Sequence, residues 1–240
     1  MTLPSVLVCT PKYAGLAPVH QHSVRALEAH AKARGIKLDL LDAQGAPPDA
    51  ARDMLAAAFV KSGFDLMFMV DSGIGFGVET FDRLYAAAGE GYEFLAAAAP
   101  LRRHDTVALP GVTPARTSPR FAVTFWERGP VTAIDPVTAI DIAGQRYVKV
   151  GKIGAAMLLL SRSVFTKIAA SCPHLHYGEG SVAYFIPAII GGERCAEDIA
   201  FCERWRRTGG AIWTLIDAPL VHEGPATFSD NLADPVKAKT

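Results

Sequence analysis

Leu66-Met67-Phe68-Met69-Val70-Asp71-Ser72-Gly73-Ile74-Gly75 is the stretch whose reading decides the fold. Its unbroken apolar run suits a strand buried on both faces, the environment of an inner strand in a helix-covered sheet. The run passes directly into a carboxylate and two glycines, which make a sharp turn. A carboxylate at the end of a buried strand is costly unless it is hydrogen-bonded, paired or metal-bound. Ligands of open α/β sheets bind beyond the carboxyl ends of the strands. Asp71 is therefore a candidate functional residue, with capping of the glycine turn as the alternative.

Working outward, short apolar runs alternate with helical patterns, as expected of a parallel sheet covered by helices. Val6 to Cys9 reads as a strand that breaks at Thr10-Pro11, because proline cannot continue a central ladder. Val19 to Arg34 has helical period and Gly35 closes it. Ile36 to Leu41 is a strand, Ala50 to Ser62 an alanine-rich helix, Val78 to Ala88 a helix and Phe94 to Ala98 a strand. Pro100 to Pro119 carries Arg102, Arg103, His104 and Arg116 among several prolines, with Arg120 just beyond, and reads as a long surface loop. Phe121 to Trp126, Gln145 to Val150 and Met157 to Ser161 read as strands, followed by a short helix over Ser163 to Ala170 capped by Ser163. His174 to Gly192 reads as irregular. Ala196 to Thr208 is an amphipathic helix stopped by Gly209-Gly210, with a strand at Ala211 to Ile216 and an extended piece at Leu220 to His222.

The fold class expected is α/β, with a mixed, mostly parallel central sheet flanked by helices. One domain over 1–233 is expected, in halves 1–99 and 100–233, with a loose tail at 234–240. Twenty-four basic residues balance twenty-four acidic ones, so the chain as a whole has no footprint for nucleic acid or anionic membrane. No apolar run approaches the roughly 18 residues of a membrane helix. Residues 1–9 show no leader pattern, and a cytoplasmic protein is expected. Cys9, Cys172, Cys195 and Cys202 follow no disulfide or paired-cysteine spacing and read as small buried hydrophobes. Cys172, His174 and His176 offer metal-ligand types but lack the paired spacing of a structural zinc site.

Two further places carry chemistry. Glu197 and Asp198 open a helix, where the macrodipole and free N–H groups favour anions, so capping and catalysis stand level. His222 lies near a strand end, where a lone histidine is more often structural.

Taken in order, several segments are more specific than any one alone. They are Thr10-Pro11-Lys12-Tyr13 after the first strand, Ala51-Arg52-Asp53, and Phe68 to Phe76 as an Asp-x-Asp-like strand end. Val150-Gly151-Lys152-Ile153-Gly154 then leads into Met157 to Arg162. Ala196-Glu197-Asp198-Ile199-Ala200-Phe201-Cys202 continues to Trp205-Arg206, Gly209-Gly210 and Ile212-Trp213, with Leu220 to Gly224 behind. In these the chain resembles bacterial and phage family 2-like glycosyltransferases of the type A fold.

The resemblance implies transfer of a sugar from a nucleotide-diphosphate donor such as a UDP-sugar to a hydroxyl. It places Thr10, Pro11, Arg52, Asp71, Ser72 and Gly73 on the nucleotide sugar, and Gly154 and Trp213 on the acceptor side. Asp198 would be the general base, with Glu197 as its neighbour and substitute. A divalent metal, manganese or magnesium, would sit at Asp71 and His222.

One departure bears on that metal. The last position of the Asp-x-Asp pattern is Gly73, which removes the usual main carboxylate ligand. Three outcomes stay open: metal held through the diphosphate, basic residues in its place (Lys12, Arg102, Arg103, Lys152), or lost catalysis. A non-catalytic nucleotide-sugar-binding protein and a nucleotidyltransferase are the other readings. An anionic acceptor, including a modified DNA base stacked on Tyr177, Tyr184 or Trp126, would suit the arginine-rich segment.

Overall fold

The structure is a computed structural model that describes residues 3–12, 15–107, 116–121, 123–125, 139–178, 180–224 and 228–230; side chains at 101–125 and 228–230 lie outside the description. The tail at 234–240 and Trp126 also lie outside the described residues.

The first half runs β1 (Val6–Lys12), α1 (Pro18–Ala33), β2 (Leu38–Gln44), α2 (Pro48–Lys61), β3 (Leu66–Val70), β4 (Ile74–Phe76), α3 (Val78–Gly89) and β5 (Phe94–Ala97). There follow β6 (Pro100–Val107), β7 (Arg116–Phe121), β8 (Val123–Phe125), β9 (Ala139–Ile142), β10 (Gln145–Ile153), β11 (Met157–Ser161) and α4 (Arg162–Ser171). The chain ends with β12 (His176–Tyr177), β13 (Ser181–Val182), β14 (Ala188–Ile190), β15 (Glu193–Cys195), α5 (Glu197–Arg207), β16 (Ile212–Leu215), β17 (Leu220–His222) and β18 (Phe228–Asp230).

Nine strands form the main sheet in the order β2-β1-β3-β11-β5-β16-β10-β8, with β9 also paired to β10. The pairings make β11 and β10 run against the other seven, so the sheet is mixed and mostly parallel in direction. All five residues of β3 are buried, as its unbroken apolar run requires of an inner strand. Helices α1 and α3 cover one face through Leu27, Ala31, Phe81 and Leu84. Helices α2, α4 and α5 cover the other through Leu55, Phe59, Phe165, Phe201 and Trp205. Strand β11, from the second half of the chain, inserts between β3 and β5 of the first.

Local chemistry fixes the helix ends that matter for the site. Pro18 and Pro48 open α1 and α2, where a missing N–H costs no helical bond. The α2 end is held from far along the chain. The Arg162 guanidinium donates to the carbonyls of Phe59, Val60, Ser62 and Phe64 and lies 4.8 Å from the Phe59 ring centroid.

Several sequence expectations need correcting. β1 does not break at Thr10-Pro11 but pairs with β2 as far as Lys12. Its pairing with β3 stops at Cys9, so Pro11 falls where the strand has one neighbour, and a residue without N–H is tolerated. Pro100 to Pro119 is not a loop throughout: β6 and β7 form an antiparallel ribbon, with Pro119 opposite His104. Both strands of a two-stranded ribbon are edges, which is where strand proline is found; residues 108–115 lie outside the described residues. Helix α4 begins at Arg162 after Ser161, and Ser163 lies inside it rather than capping it. His174 to Gly192, expected to be irregular, holds one short hairpin, β12–β13, and β14, the first strand of a second whose other strand is β15. Cys172, His174 and His176 form no metal cluster, and His176 bonds the Ala169 carbonyl instead. All four cysteines are buried, as expected.

Candidate functional site

The site lies where β3 ends. Asp71 takes its backbone from the turn: its N–H donates to the Ala156 carbonyl at 3.0 Å, and its carbonyl accepts from Ile74 at 2.9 Å. Gly73 and Glu223 are joined by a 2.8 Å backbone bond, and the Glu223 carboxylate accepts the Val19 N–H near the start of α1. The turn is thus tied to α1, to β17 and to the 154–156 segment at once.

Arg52 organises the side chains. It is buried on α2, and a buried guanidinium must be paired. Its Nη2 donates to both Asp71 oxygens at 2.9 and 3.2 Å, and its Nη1 to Glu197 Oε1 at 2.5 Å. Its Nε, also buried, has no partner among the described residues.

Two lobes open from this centre. A cavity of about 360 Å³ is lined by Pro11, Lys12, Pro48, Arg52, Ser72 and Gly73, among others. A smaller lobe of about 110 Å³ is lined by Pro100, Gly154, Ala155, Ala156 and Asp198. Arg52, Asp71 and His222 line both. The larger lobe lies within the usual range for small-molecule sites, roughly 300–1,000 Å³.

Asp198 sits in the first turn of α5 and accepts the Ile199 N–H at 2.7 Å. Burial and then the neighbouring Glu197 raise its carboxyl above the usual carboxylate range, against the opposing pull of the Ile199 N–H, Arg52 and the Ala155 backbone. A carboxylate held proton-hungry in a pocket is suited to general-base work. His222 pairs in register with Ile74 across β17 and β4. Its Nδ1 donates to the Pro100 carbonyl at 2.8 Å.

The structure therefore brings Pro11, Arg52, Asp71, Ser72, Gly73, Gly154, Asp198 and His222 to one cleft, with Glu197 beside it through Arg52. It does not bring Thr10 or Trp213. Thr10 points to the α1 face, where its hydroxyl meets His20 Nε2 at 3.3 Å, and His20 Nδ1 donates to the Ile74 carbonyl. Burial lowers the His20 pKa, so this ring is a neutral structural link. Trp213 is level in register with Leu95, Leu159 and Phe68. That is three residues short of Asp71, about 10 Å along the strands, and its ring packs edge-on against Tyr92 instead. Pro100, Ala155 and Ala156 were not legible as site residues, since they carry no functional group and contribute backbone and shape.

At the metal position expected between Asp71 and His222, the protein's own donors are few and engaged. Hard divalent cations need several oxygen ligands. Here Gly73 offers none, and both Asp71 oxygens already accept from Arg52. Among the described residues no group of three or more His, Cys, Asp or Glu side chains converges on a cation position.

A second tie joins α2 to the α5 side. Asp53 Oδ1 accepts the Phe185 N–H at 2.7 Å, and Arg204 of α5 donates to the Tyr184 and Ile186 carbonyls. Burial pushes the Asp53 carboxyl up to about 6. A raised carboxyl binds its proton more tightly folded than unfolded, so it makes stability fall as pH rises from the unfolded value of 3.8 to about 6. Asp53→Asn keeps the acceptor and removes the titration. It should flatten the decline in melting temperature across that window, read by thermal unfolding at stepped pH; an unchanged slope would show that Asp53 is not its source.

No family model matches the chain, and no curated protein sequence does. Among solved structures, A197 from STIV superposes with a TM-score of 0.52 at 14% identity, over 95% of this chain and 91% of that one. At that identity the likeness is one of fold. The 2-C-methyl-D-erythritol 4-phosphate cytidylyltransferase from Thermus thermophilus gives 0.36 at 13% identity, over 99% of this chain and 98% of that one. The 4-diphosphocytidyl-2C-methyl-D-erythritolsynthase from Anaerococcus prevotii gives 0.35 at 6%, over 73% and 78%. Those two superpose too loosely to carry an argument about chemistry. Among the described residues no helix is long and apolar enough to cross a membrane.

Proposed function

We propose that this protein transfers a sugar from a nucleoside-diphosphate donor to a hydroxyl acceptor. The observation that supports it most is the shared wall of the two lobes: Asp71 and Arg52 face the larger one, and Asp198 faces the smaller one across them. The donor would lie in the larger lobe over Pro11, Lys12, Ser72 and Gly73, with its anomeric carbon near Asp71. The acceptor hydroxyl would enter the smaller lobe beside Gly154. Asp198 would take the hydroxyl proton as the new glycosidic bond forms and the bond to the diphosphate breaks, releasing the nucleoside diphosphate. The expectation of an anionic acceptor such as DNA rested on Arg102 to Arg120, whose side chains lie outside the described residues.

Calorimetric titration of a panel of nucleotide sugars tests the reading, with Asp71→Asn as the comparison. One donor should bind saturably, and the substitution should weaken it about tenfold by loosening Arg52. Release of nucleoside diphosphate on adding acceptor supports sugar transfer, whereas release of inorganic diphosphate from a nucleoside triphosphate would point to nucleotidyl transfer. A folded protein that binds no donor would overturn the proposal.

A further inference from the structure

The cleft brings two carboxylates together on one side-chain cation. Asp71 comes from the end of β3 and Glu197 from the start of α5, and a single guanidinium reaches both. Like charges brought that close in a buried setting repel unless a positive charge stands between them. Asp198 and His222 line the same lobe as Arg52 and Asp71. Arg52, which stands between the two carboxylates, is only 7% exposed.

We propose that Arg52 is the built-in cation of the cleft: its guanidinium takes the place of a divalent metal between Asp71 and Glu197, and nucleoside-diphosphate binding is metal-independent. This rests on the donor reading of the larger lobe. Three observations carry it. The position that would complete an Asp-x-Asp pair is Gly73, which has no ligand to give. Both Asp71 oxygens and one Glu197 oxygen are engaged by the guanidinium. The Nε–H is buried and unpartnered among the described residues, so an arginine already holding two carboxylates keeps a donor in reserve. That spare donor is what a phosphate oxygen requires, and the planar fork supplies it at fixed geometry, which a lysine cannot. Lys12, on the wall of the same lobe, is the second positive charge available to a diphosphate.

The test has two arms. In the first, manganese is titrated into protein without nucleotide and the free-ion EPR signal is followed. Wild type should leave manganese free, whereas Arg52→Gln, which exposes Asp71 and Glu197 to each other, should take it up. Uptake by wild type that disappears in Asp71→Asn would overturn the proposal, and so would an Arg52→Gln protein that takes up none.

In the second, UDP, GDP, ADP and CDP are titrated calorimetrically in EDTA and again in excess manganese. The wild-type affinity for the best of them should agree between buffers within about threefold, under 1 kcal/mol. A tenfold or greater gain on adding manganese would overturn the proposal. Arg52→Lys keeps the charge without the fork and should bind about tenfold more weakly, in both buffers alike. It also serves should Arg52→Gln fail to fold; restoration of its affinity by manganese would count against the idea. If no nucleotide binds wild type in either buffer, the donor reading fails and the manganese arm alone decides on Arg52.

Discussion

Asp198→Asn is expected to lower turnover about a thousandfold while leaving nucleotide-sugar affinity within about twofold, since loss of a positioned general base typically costs 10²–10⁴ in rate. Asparagine keeps the shape and can still accept the Ile199 N–H, but it cannot take a proton. Donor affinity should be spared because Asp198 lines only the smaller lobe. Glu197 lines neither lobe, and its Oε1 accepts from Arg52. The pH dependence follows from the same environment. Burial raises the Asp198 pKa, and the reaction needs the ionised form. Activity should therefore disappear as pH falls through a value above the ordinary carboxylate range, while donor binding persists below it. Steady-state kinetics and calorimetry on the same preparation check both parts. Intact turnover in Asp198→Asn, or collapse of donor affinity with it, would remove Asp198 from the role of base.

How much of this was legible in the sequence depends on the range over which each signal acts. Leu66–Val70 announced an inner strand because five consecutive apolar residues carry their own burial signal, and all five are buried. Helix α5 was equally plain, its apolar residues recurring at helical spacing with arginines gathered in the last turn. The α/β class followed from such local patterns. The β6–β7 ribbon did not, because its prolines and charges resemble a loop until an antiparallel partner is supplied, and ribbon pairing is a property of two segments. β11 gives no hint in its own five residues that it will insert between β3 and β5 in the opposite sense.

The site shows the same division. Asp71 and Asp198 were visible as carboxylates where strands end and helices begin. Arg52 was noticed, but as a direct contact to nucleotide; its partners lie 19 and 145 residues away, beyond any local pattern. Thr10 misled because alternation along β1 sends it to the α1 face, and only its neighbour Pro11 to the cleft side. Trp213 was placed on the acceptor side by resemblance alone, and its height along the strand is fixed only by register with three other strands.

Gly209-Gly210 reads as one helix stop, yet the two glycines serve different purposes, and the difference predicts a large effect. Gly209 has φ +84°, the left-handed conformation that closes a helix, and nothing crowds its missing side chain. Alanine there should cost about 1–2 kcal/mol, the ordinary penalty of that conformation. Gly210 has no such backbone constraint. A Cβ on Gly210 would fall inside the van der Waals envelope of the Trp205 indole. That ring cannot step aside: it is 1% exposed, its Nε1–H donates to the Ala211 carbonyl at 2.8 Å, and Phe94 packs 6.4 Å from it. Gly210→Ala should therefore cost about 3 kcal/mol or more, at the upper end of overpacking effects. For a chain of this size that corresponds to a fall in melting temperature of roughly 6–12 °C. Urea unfolding of both variants measures the contrast. If Gly210→Ala proved no worse than Gly209→Ala, the indole would have to be mobile, and the close packing of α5 on the sheet beside Asp198 would be looser than the ring's burial requires.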